Sequence, residues 1–194
     1  MIDIEKGEYK SHPYPRMLLD DCISQDLFDE LLHDFPTEQS DFEFKKIQGN
    51  RIQLASNQKD FYKFLEQSPA WERLYSTVNS EAFIKKILKK WSGEISELGG
   101  DPDLLTYDFS AGEYKLQSTI KGIFGEGLLS DYLLKIRNTV LKLFNLDKRL
   151  FVHFDISQAM DGYCVAPHHD QGRVAGFLIY FSDADETKGT GGEL

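Results

Sequence analysis

The stretch Met160–Leu194, MDGYCVAPHHDQGRVAGFLIYFSDADETKGTGGEL, contains two segments that we predict to be β-strands and that organise the rest of the chain. Pro167 restricts φ and has no N–H, which suits the first residue of a strand or an edge strand. Gln171-Gly172 predicts a turn. From Arg173 to Ser182 the sequence is almost continuously apolar, of strand length, and rich in aromatic and β-branched residues. We therefore predict a strand, a turn and a second strand, followed by a polar loop that Gly191-Gly192 closes.

The first of these strands carries a His-x-Asp triplet. Residues two apart in a strand point to the same face, so His168 and Asp170 present an imidazole and a carboxylate side by side, whereas His169 points the other way. One imidazole and one carboxylate make up part of the two-histidine, one-carboxylate arrangement that binds non-haem Fe(II) and leaves positions open. We predict His168 and Asp170 as metal ligands. The alternative is a solvated surface triplet without a metal.

The order of residues around the triplet is more specific than the triplet itself. Tyr163 is followed by His168-x-Asp170, Arg173, an apolar run that contains Tyr180, and Gly191-Gly192. This series resembles the prolyl-4-hydroxylase-like branch of the 2-oxoglutarate- and Fe(II)-dependent oxygenases, and the resemblance extends from Gln158 to Leu194. It implies a dioxygenase in which Fe(II) and 2-oxoglutarate bind together and O2 is consumed. The co-substrate would be oxidised to succinate and CO2 while a C–H bond of a protein side chain or a small molecule is hydroxylated.

The segment Phe151–Ala159 leads into the motif and is predicted to be a strand. Its alternation places three apolar residues and Gln158 on an inward face, and His153 on an outer face that we expect to be polar surface. A buried glutamine needs hydrogen-bond partners. Two interpretations stay open for Gln158: a structural bond to a neighbouring loop or, as the resemblance implies, a contact with 2-oxoglutarate.

The same alternation divides the second strand into two faces. Tyr180 shares a face with Gly176, which leaves space beside it, and Arg173 lies on the opposite face. The resemblance implies that Tyr180 donates a hydrogen bond to 2-oxoglutarate; the alternative is a core tyrosine whose hydroxyl reaches solvent. Arg173 is interpreted as a surface or hinge cation, not as a partner of the co-substrate.

The resemblance also implies a fold. We expect an α+β protein, with a double-stranded β-helix (jelly roll) that is incomplete at the C-terminus and an N-terminal helical region packed on it. A single domain is predicted, mainly helical over residues 1–100 and with the first part of the jelly roll over 101–194. The family places a second histidine and then a basic residue after the double glycine, but all five histidines lie at or before His169. We therefore expect the natural gene to continue past Leu194, and residues 1–194 alone to bind metal poorly and show no turnover.

Composition restricts the partners and the compartment. A formal net charge of −10 argues against nucleic acid and anionic membranes, because there is no excess of cations to neutralise phosphates. No apolar run approaches the length of a membrane span, and the charged N-terminus shows no signal peptide. Cys22 and Cys164 are far apart, which favours reduced thiols in a cytoplasmic protein. Cys164 and His168 alone are poor support for a zinc site.

Local signals predict the remaining elements. Ser24 is expected to cap a helix that ends before Pro36, and Gly49-Asn50 to form the turn of a hairpin. Further helices are expected over Gln58–Gln67, from Pro69, around residues 83–91, and from Ser130 to about Phe144; Leu104–Leu116 is expected to be strand-like and Thr119–Gly127 a flexible loop.

Two other functions are compatible with these residues. One is a non-catalytic jelly-roll domain that binds a ligand or partner and keeps the His-x-Asp triplet by descent. The other is a cupin-like metal protein with different chemistry.

Overall fold

A three-stranded antiparallel sheet joins the first third of the sequence to the last third. The computed structural model describes residues 2–5, 7–10, 12, 16–125, 127–144, 148–165 and 173–181. Strands β3 (Lys45–Ile47), β4 (Arg51–Ala55) and β7 (Asp155–Ala159) lie in the order β3-β4-β7. The middle strand pairs with β7 over five residues, from Arg51 opposite Ala159 to Ala55 opposite Asp155.

The predicted hairpin is confirmed. Lys45 pairs with Gln53 and Ile47 with Arg51, so the turn falls on Gly49 and Asn50. Gly49 has φ +87° and Asn50 has φ +57°, both in the left-handed region. Glycine and asparagine tolerate that region better than other residues, which explains why the chain reverses here.

Helices account for most of the remaining described structure, so the α+β class is confirmed. They are α1 (Gln25–His33), α2 (Lys59–Gln67), α3 (Pro69–Val78), α4 (Glu81–Lys90), α5 (Ser92–Glu97), α6 (Glu113–Phe124) and α7 (Leu128–Leu143). The other elements are β1 (Glu8–Lys10) paired with β2 (Arg16–Leu18), β5 (Asp108–Phe109) paired in parallel with β6 (Arg149–Leu150), and a 3₁₀ turn at Leu104–Thr106. None of the helices in these described ranges combines the length and apolar character that crossing a bilayer requires.

Capping residues explain where several helices begin. The Ser24 hydroxyl accepts a hydrogen bond from the Leu27 N–H at 3.4 Å, as predicted, and Ser80 caps α4 through the Phe83 N–H at 3.3 Å. Pro69 occupies the start of α3, where its missing N–H leaves no helical bond unmade.

The main core lies between the first helices and one face of the sheet. At its aromatic centre the Phe154 ring contacts those of Phe61 and Trp71, at centroid distances of 5.8 and 6.4 Å. The buried members of the cluster are Ile2, Ile4, Leu31, Leu54, Phe61, Phe64, Leu65, Ala70, Trp71, Leu74, Val78, Phe83 and Ile156. Strand β7 therefore packs directly against the N-terminal helices.

The middle of the chain differs from the prediction. Leu104–Leu116 was expected to be strand-like, but only Asp108–Phe109 is a strand and α6 begins at Glu113. Thr119–Gly127 was expected to be a loop, but α6 continues to Phe124 through Gly122. A glycine lowers helix stability by only about 1 kcal/mol, which the packing of α6 against α2 and α7 can outweigh.

The start of α7 also differs by a few residues. The helix begins at Leu128, and Ser130 lies inside it with its hydroxyl accepting a hydrogen bond from the Gly127 N–H at 3.3 Å. Ser130 therefore satisfies the backbone at the helix start from the third helical position and does not act as the N-cap.

The apolar segment after the motif is not a strand in the described residues 173–181. Ile179 and Phe181 nevertheless pack against the core cluster, and Phe181 stacks on Phe28 at a centroid distance of 5.1 Å. Side-chain contacts of Ile179 and Phe181 hold this segment, whereas most of its other apolar residues are exposed, so the prediction of a strand is wrong here.

An ion-pair network joins the elements of the second half. The Glu113 side chain, at the start of α6, is almost fully buried. It accepts two hydrogen bonds from Arg137 of α7, at 2.7 and 2.8 Å, and one from Arg149 of β6 at 3.1 Å. Because the Arg137 hydrogen bond is the largest influence, the pKa of the Glu113 carboxyl lies below its ordinary value.

We expect Glu113→Gln to lower the free energy of unfolding by about 2–3 kcal/mol, since it weakens charge-assisted bonds to two arginines. The effect should shrink in acid: the lowered carboxyl pKa stabilises the fold above the ordinary pKa and is lost as the pH falls through the lowered one. Urea unfolding at neutral and acidic pH measures both. Glu81→Gln, which removes a charge from the exposed pair with Lys85, should cost below about 1 kcal/mol, and equal losses would contradict the assignment.

Candidate functional site

Gln158 lies on the buried face of β7, as the alternation predicted. Its cross-strand partner is Ile52, and Ile156, two residues earlier, lies opposite Leu54. Directly opposed residues share a face of the sheet. All three of these apolar neighbours are buried, so the Gln158 carboxamide is a polar group on an otherwise apolar face.

The carboxamide oxygen of Gln158 is buried without a hydrogen-bond partner in the part of the chain that the structure describes. A buried acceptor without a donor costs about 1–3 kcal/mol. The expected structural bond to a neighbouring loop is therefore not made by this oxygen among the described residues. An unpaired buried acceptor next to a predicted site indicates a position where a ligand or water can bind.

The chain between Gln158 and the His-x-Asp triplet is held against the hairpin turn. Met160 donates its N–H to the Asn50 carbonyl at 3.0 Å, and Cys164 donates to the Gly49 carbonyl at 3.1 Å. Directly before β7, the Phe154 carbonyl accepts a hydrogen bond from the Ser56 N–H at 2.8 Å, and the Phe154 N–H donates to the Ser56 hydroxyl. These bonds fix the backbone on both sides of Gln158 and up to four residues before His168.

The predicted metal ligands His168 and Asp170 lie outside the described residues, as does His169. Within the described ranges, no group of three or more His, Cys, Asp and Glu residues is arranged to hold a metal ion. The prediction that these two side chains bind Fe(II) stays a prediction.

Tyr180 lies on the exposed side of the segment that follows the motif. Its side chain is 53% exposed, whereas its neighbours Ile179 and Phe181 contact the core. Leu178, on the same side as Tyr180, is also exposed. Exposure therefore alternates over these four residues as the predicted two faces require, although the segment is not a strand.

His153 corrects one prediction, because it is not simple polar surface. Its ring lies 4.8 Å from the Tyr114 ring of α6, and its Nε2 is buried with no hydrogen-bond partner in the described chain. Burial lowers the pKa of His153; Asp155 opposes this shift and Arg173 adds to it. Arg173 also opposes the rise in the pKa of Tyr114. Arg173, three residues after Asp170, therefore lies near both Tyr114 and His153.

Sequence reasoning missed the grouping of His153, Tyr114 and Arg173 for a specific reason. Assigning Tyr114 to a strand-like segment left the outer face of the 151–159 segment uncovered. With α6 in place, an aromatic ring covers that face, and an imidazole without a partner remains neutral more readily than a solvated one. The signal that could have revealed this is a histidine flanked by Phe151 and Phe154, whose aromatic rings favour a covered strand.

The arrangement as a whole has a defined chemical capacity. Gln158 offers an unpaired carboxamide oxygen near one end of β7, and the Tyr180 side chain is exposed and carries a phenol, a group that can donate to a carboxylate. His153 and Arg173 lie near each other, and His153 is on the opposite face of the 151–159 segment from Gln158. The Tyr180 phenol can donate a hydrogen bond to an anionic ligand and the Gln158 oxygen can accept one; the ligands needed for redox chemistry would come from the triplet.

Comparison with protein-family models, with curated proteins and with solved structures finds no match for this chain.

We expect Gly49→Ala to destabilise the docked segment and the protein by about 1–3 kcal/mol. A Cβ at this position would lie 2.3 Å from Val165 Cγ2 and 3.0 Å from the Cys164 carbonyl oxygen, at φ +87°. Urea unfolding measures the loss, and faster amide exchange at Cys164 would localise it. Gly93→Ala is the control: its Cβ meets nothing within 4 Å, and alanine should stabilise α5. Equal stability of Gly49→Ala and wild type would contradict the docking.

We also expect His153 to make the protein less stable in mild acid. Its folded pKa is lowered, so the unfolded chain takes up a proton first, and stability falls as the pH drops through the ordinary histidine value of 6.5. His153→Phe keeps an aromatic ring beside Tyr114 and should flatten this dependence. Unfolding free energies at several pH values between about 5 and 8 measure it; the same flattening in His12→Gln, at an exposed histidine, would reject the assignment.

Proposed function

We propose that the protein is a 2-oxoglutarate- and Fe(II)-dependent dioxygenase that hydroxylates a C–H bond of a protein side chain or a small molecule. The observation that carries the proposal is the buried, unpaired carboxamide oxygen of Gln158, ten residues before His168 on a strand anchored on both sides. An unpaired acceptor in an apolar layer is unfavourable unless a ligand or a water supplies a donor. The residue order around His168 and Asp170 supports the same function.

Each residue has a specific role in this proposal. His168 and Asp170 would hold the metal, and bound Fe(II) would supply O2 activation coupled to decarboxylation of the co-substrate. The Tyr180 hydroxyl would donate a hydrogen bond to a carboxylate of 2-oxoglutarate. The Gln158 carboxamide can rotate half a turn about its last bond, which would direct its NH2 toward the same anion.

The fold expected for this function is a jelly roll, and the β3-β4-β7 sheet is compatible with its first part. Strand β7 forms one end of the described sheet order. A jelly roll would continue the sheet by adding strands at such an edge. The helices pack on the face of this sheet that carries Leu54, Ile156 and Gln158.

Metal and co-substrate affinities test the proposal. We expect His168→Ala and Asp170→Ala each to weaken Mn(II) or Fe(II) binding about tenfold or more, measured anaerobically by calorimetry. His169→Ala should have a much smaller effect, because that side chain points to the other face. Equal losses in all three variants would reject the strand geometry of the triplet.

The co-substrate contacts are tested on the same protein. In a full-length protein, Tyr180→Phe removes one hydroxyl and should weaken 2-oxoglutarate binding by about 1–2 kcal/mol. Gln158→Met should also weaken it, while leaving the protein at least as stable as wild type, since it removes an unpaired buried acceptor. Anaerobic titration with Fe(II) and 2-oxoglutarate, followed by the charge-transfer absorption of the complex, measures both. Unchanged co-substrate affinity in both variants would favour a non-catalytic binding domain.

A further inference from the structure

The outer face of α7 carries an apolar stripe that no described residue covers. The stripe consists of five side chains that are between 43% and 76% exposed: Leu129, Tyr132, Ile136, Val140 and Leu143. Contiguous apolar surface of this kind on a soluble domain usually marks an interaction site.

Another face of the same helix already packs against the protein. Ser130 is fully buried, Leu133, Leu134 and Leu141 are half-buried, and Arg137 binds Glu113 of α6. The stripe is therefore a second apolar face, separate from the one that attaches α7 to the protein. Val140 belongs to the stripe, and Phe144, directly after the helix, is also exposed.

The spacing of the stripe is symmetric about Ile136. Tyr132 and Val140 lie four residues on either side of it, and Leu129 and Leu143 lie seven residues on either side. A twofold axis through Ile136, perpendicular to the helix, would bring each of these residues level with an apolar residue of a second, antiparallel helix. An interface between identical subunits related by a twofold axis has to be self-complementary in this way.

The pairing also combines a large residue with a smaller one on either side of the centre. Tyr132 of one helix would lie level with Val140 of the other, and the two Ile136 side chains would meet at the centre. The symmetry continues beyond the stripe, because Leu128 and Phe144 lie eight residues from Ile136 and are also exposed. Alternating large and smaller side chains allow two helices to interdigitate.

The charges of α7 fit an antiparallel pair of copies. In that arrangement the first turn of one helix, with Asp131, lies beside the last turn of the other, with Lys142, and the helix dipoles oppose each other. The chain has a net charge of −10, but α7 carries Asp131 against Lys135, Arg137 and Lys142. Two copies would therefore meet through a part of the surface that is not acidic, where their overall repulsion is smallest.

We propose that the protein forms a homodimer through an antiparallel α7–α7 contact centred on Ile136. The dimer contact lies on α7 and involves none of the residues assigned to the metal or to 2-oxoglutarate.

Sedimentation velocity of the whole chain over a range up to about 100 μM tests the proposal. Wild type should be dimeric at the upper end of this range. Ile136→Glu and Leu143→Lys should each raise the dimer dissociation constant about tenfold or more, since each places a charge in the apolar contact. Leu143 is 76% exposed, so Leu143→Lys keeps the test valid if Ile136→Glu disturbs folding, which circular dichroism checks.

Asn138→Glu is the matched control, because it adds the same charge as Ile136→Glu to an exposed site on the opposite side of the helix. Its dissociation constant should match that of wild type. A wild-type monomer throughout the concentration range would overturn the proposal. So would a dimer that neither stripe variant weakens, or one that Asn138→Glu weakens equally.

Disulfide trapping tests the antiparallel geometry. In a chain with Cys22→Ser and Cys164→Ser, Ile136→Cys should cross-link two copies on oxidation, because the two thiols meet at the axis. Leu129→Cys should not, because its counterpart in the other copy lies at the far end of the contact. Efficient cross-linking through Leu129→Cys would indicate parallel helices and would contradict the twofold arrangement.

Discussion

The antiparallel pairing of β4 with β7 is the constraint on which the rest of the structure depends. It joins residues 51–55 to residues 155–159 and so brings the segment before the His-x-Asp triplet onto the N-terminal helical core. The register determines that Ile156 and Gln158 face inward, because a shift by one residue would turn both to the other face. The bonds between Ser56 and Phe154 extend the same register beyond the strand.

The buried polar groups of Glu113 and Gln158 differ in how fully they are hydrogen-bonded. The Glu113 carboxylate is saturated by two arginines and Gln117, and it links three elements of the second half. The Gln158 oxygen, in contrast, has no donor within the described chain. A saturated network rigidifies structure, whereas an unpaired group on a well-held strand is prepared for a molecule that arrives later. This contrast distinguishes a polar group that stabilises the fold from one that can bind a ligand.

Local signals in the sequence were sufficient for those elements whose stability is local. The hairpin followed from Gly49-Asn50, the start of α1 from Ser24, and the inward direction of Gln158 from strict alternation along one strand. Signals failed where packing between distant elements decided the outcome. Residues 113–124 are helical despite Gly122, since α6 is held by α2, α7 and the Glu113 network, and none of these contacts is visible in a short window.

The candidate site shows the same division. Alternation placed Gln158 and Tyr180 on their faces, because the period of a strand is a local property. It could not show that Tyr114 covers His153, which required knowing that α6 is a helix and where it packs. The prediction of a strand in residues 173–181 was wrong. There, Phe181 contacts the rings of Phe28 and Trp71 in place of the strand pairing that the apolar composition suggested.

The sheet order has a consequence for how the chain is made. During translation, β4 is made well before its partner strand β7. Ser56, directly after β4, and Phe154, directly before β7, are 98 positions apart. At translation rates of about 5–20 residues per second, several seconds pass in which one edge of the hairpin has no strand beside it. An unpaired edge next to exposed core residues can accept a strand from another nascent chain. Arg51 and Lys45, whose cations border this hairpin, would make such mispairing between identical chains less favourable until β7 emerges.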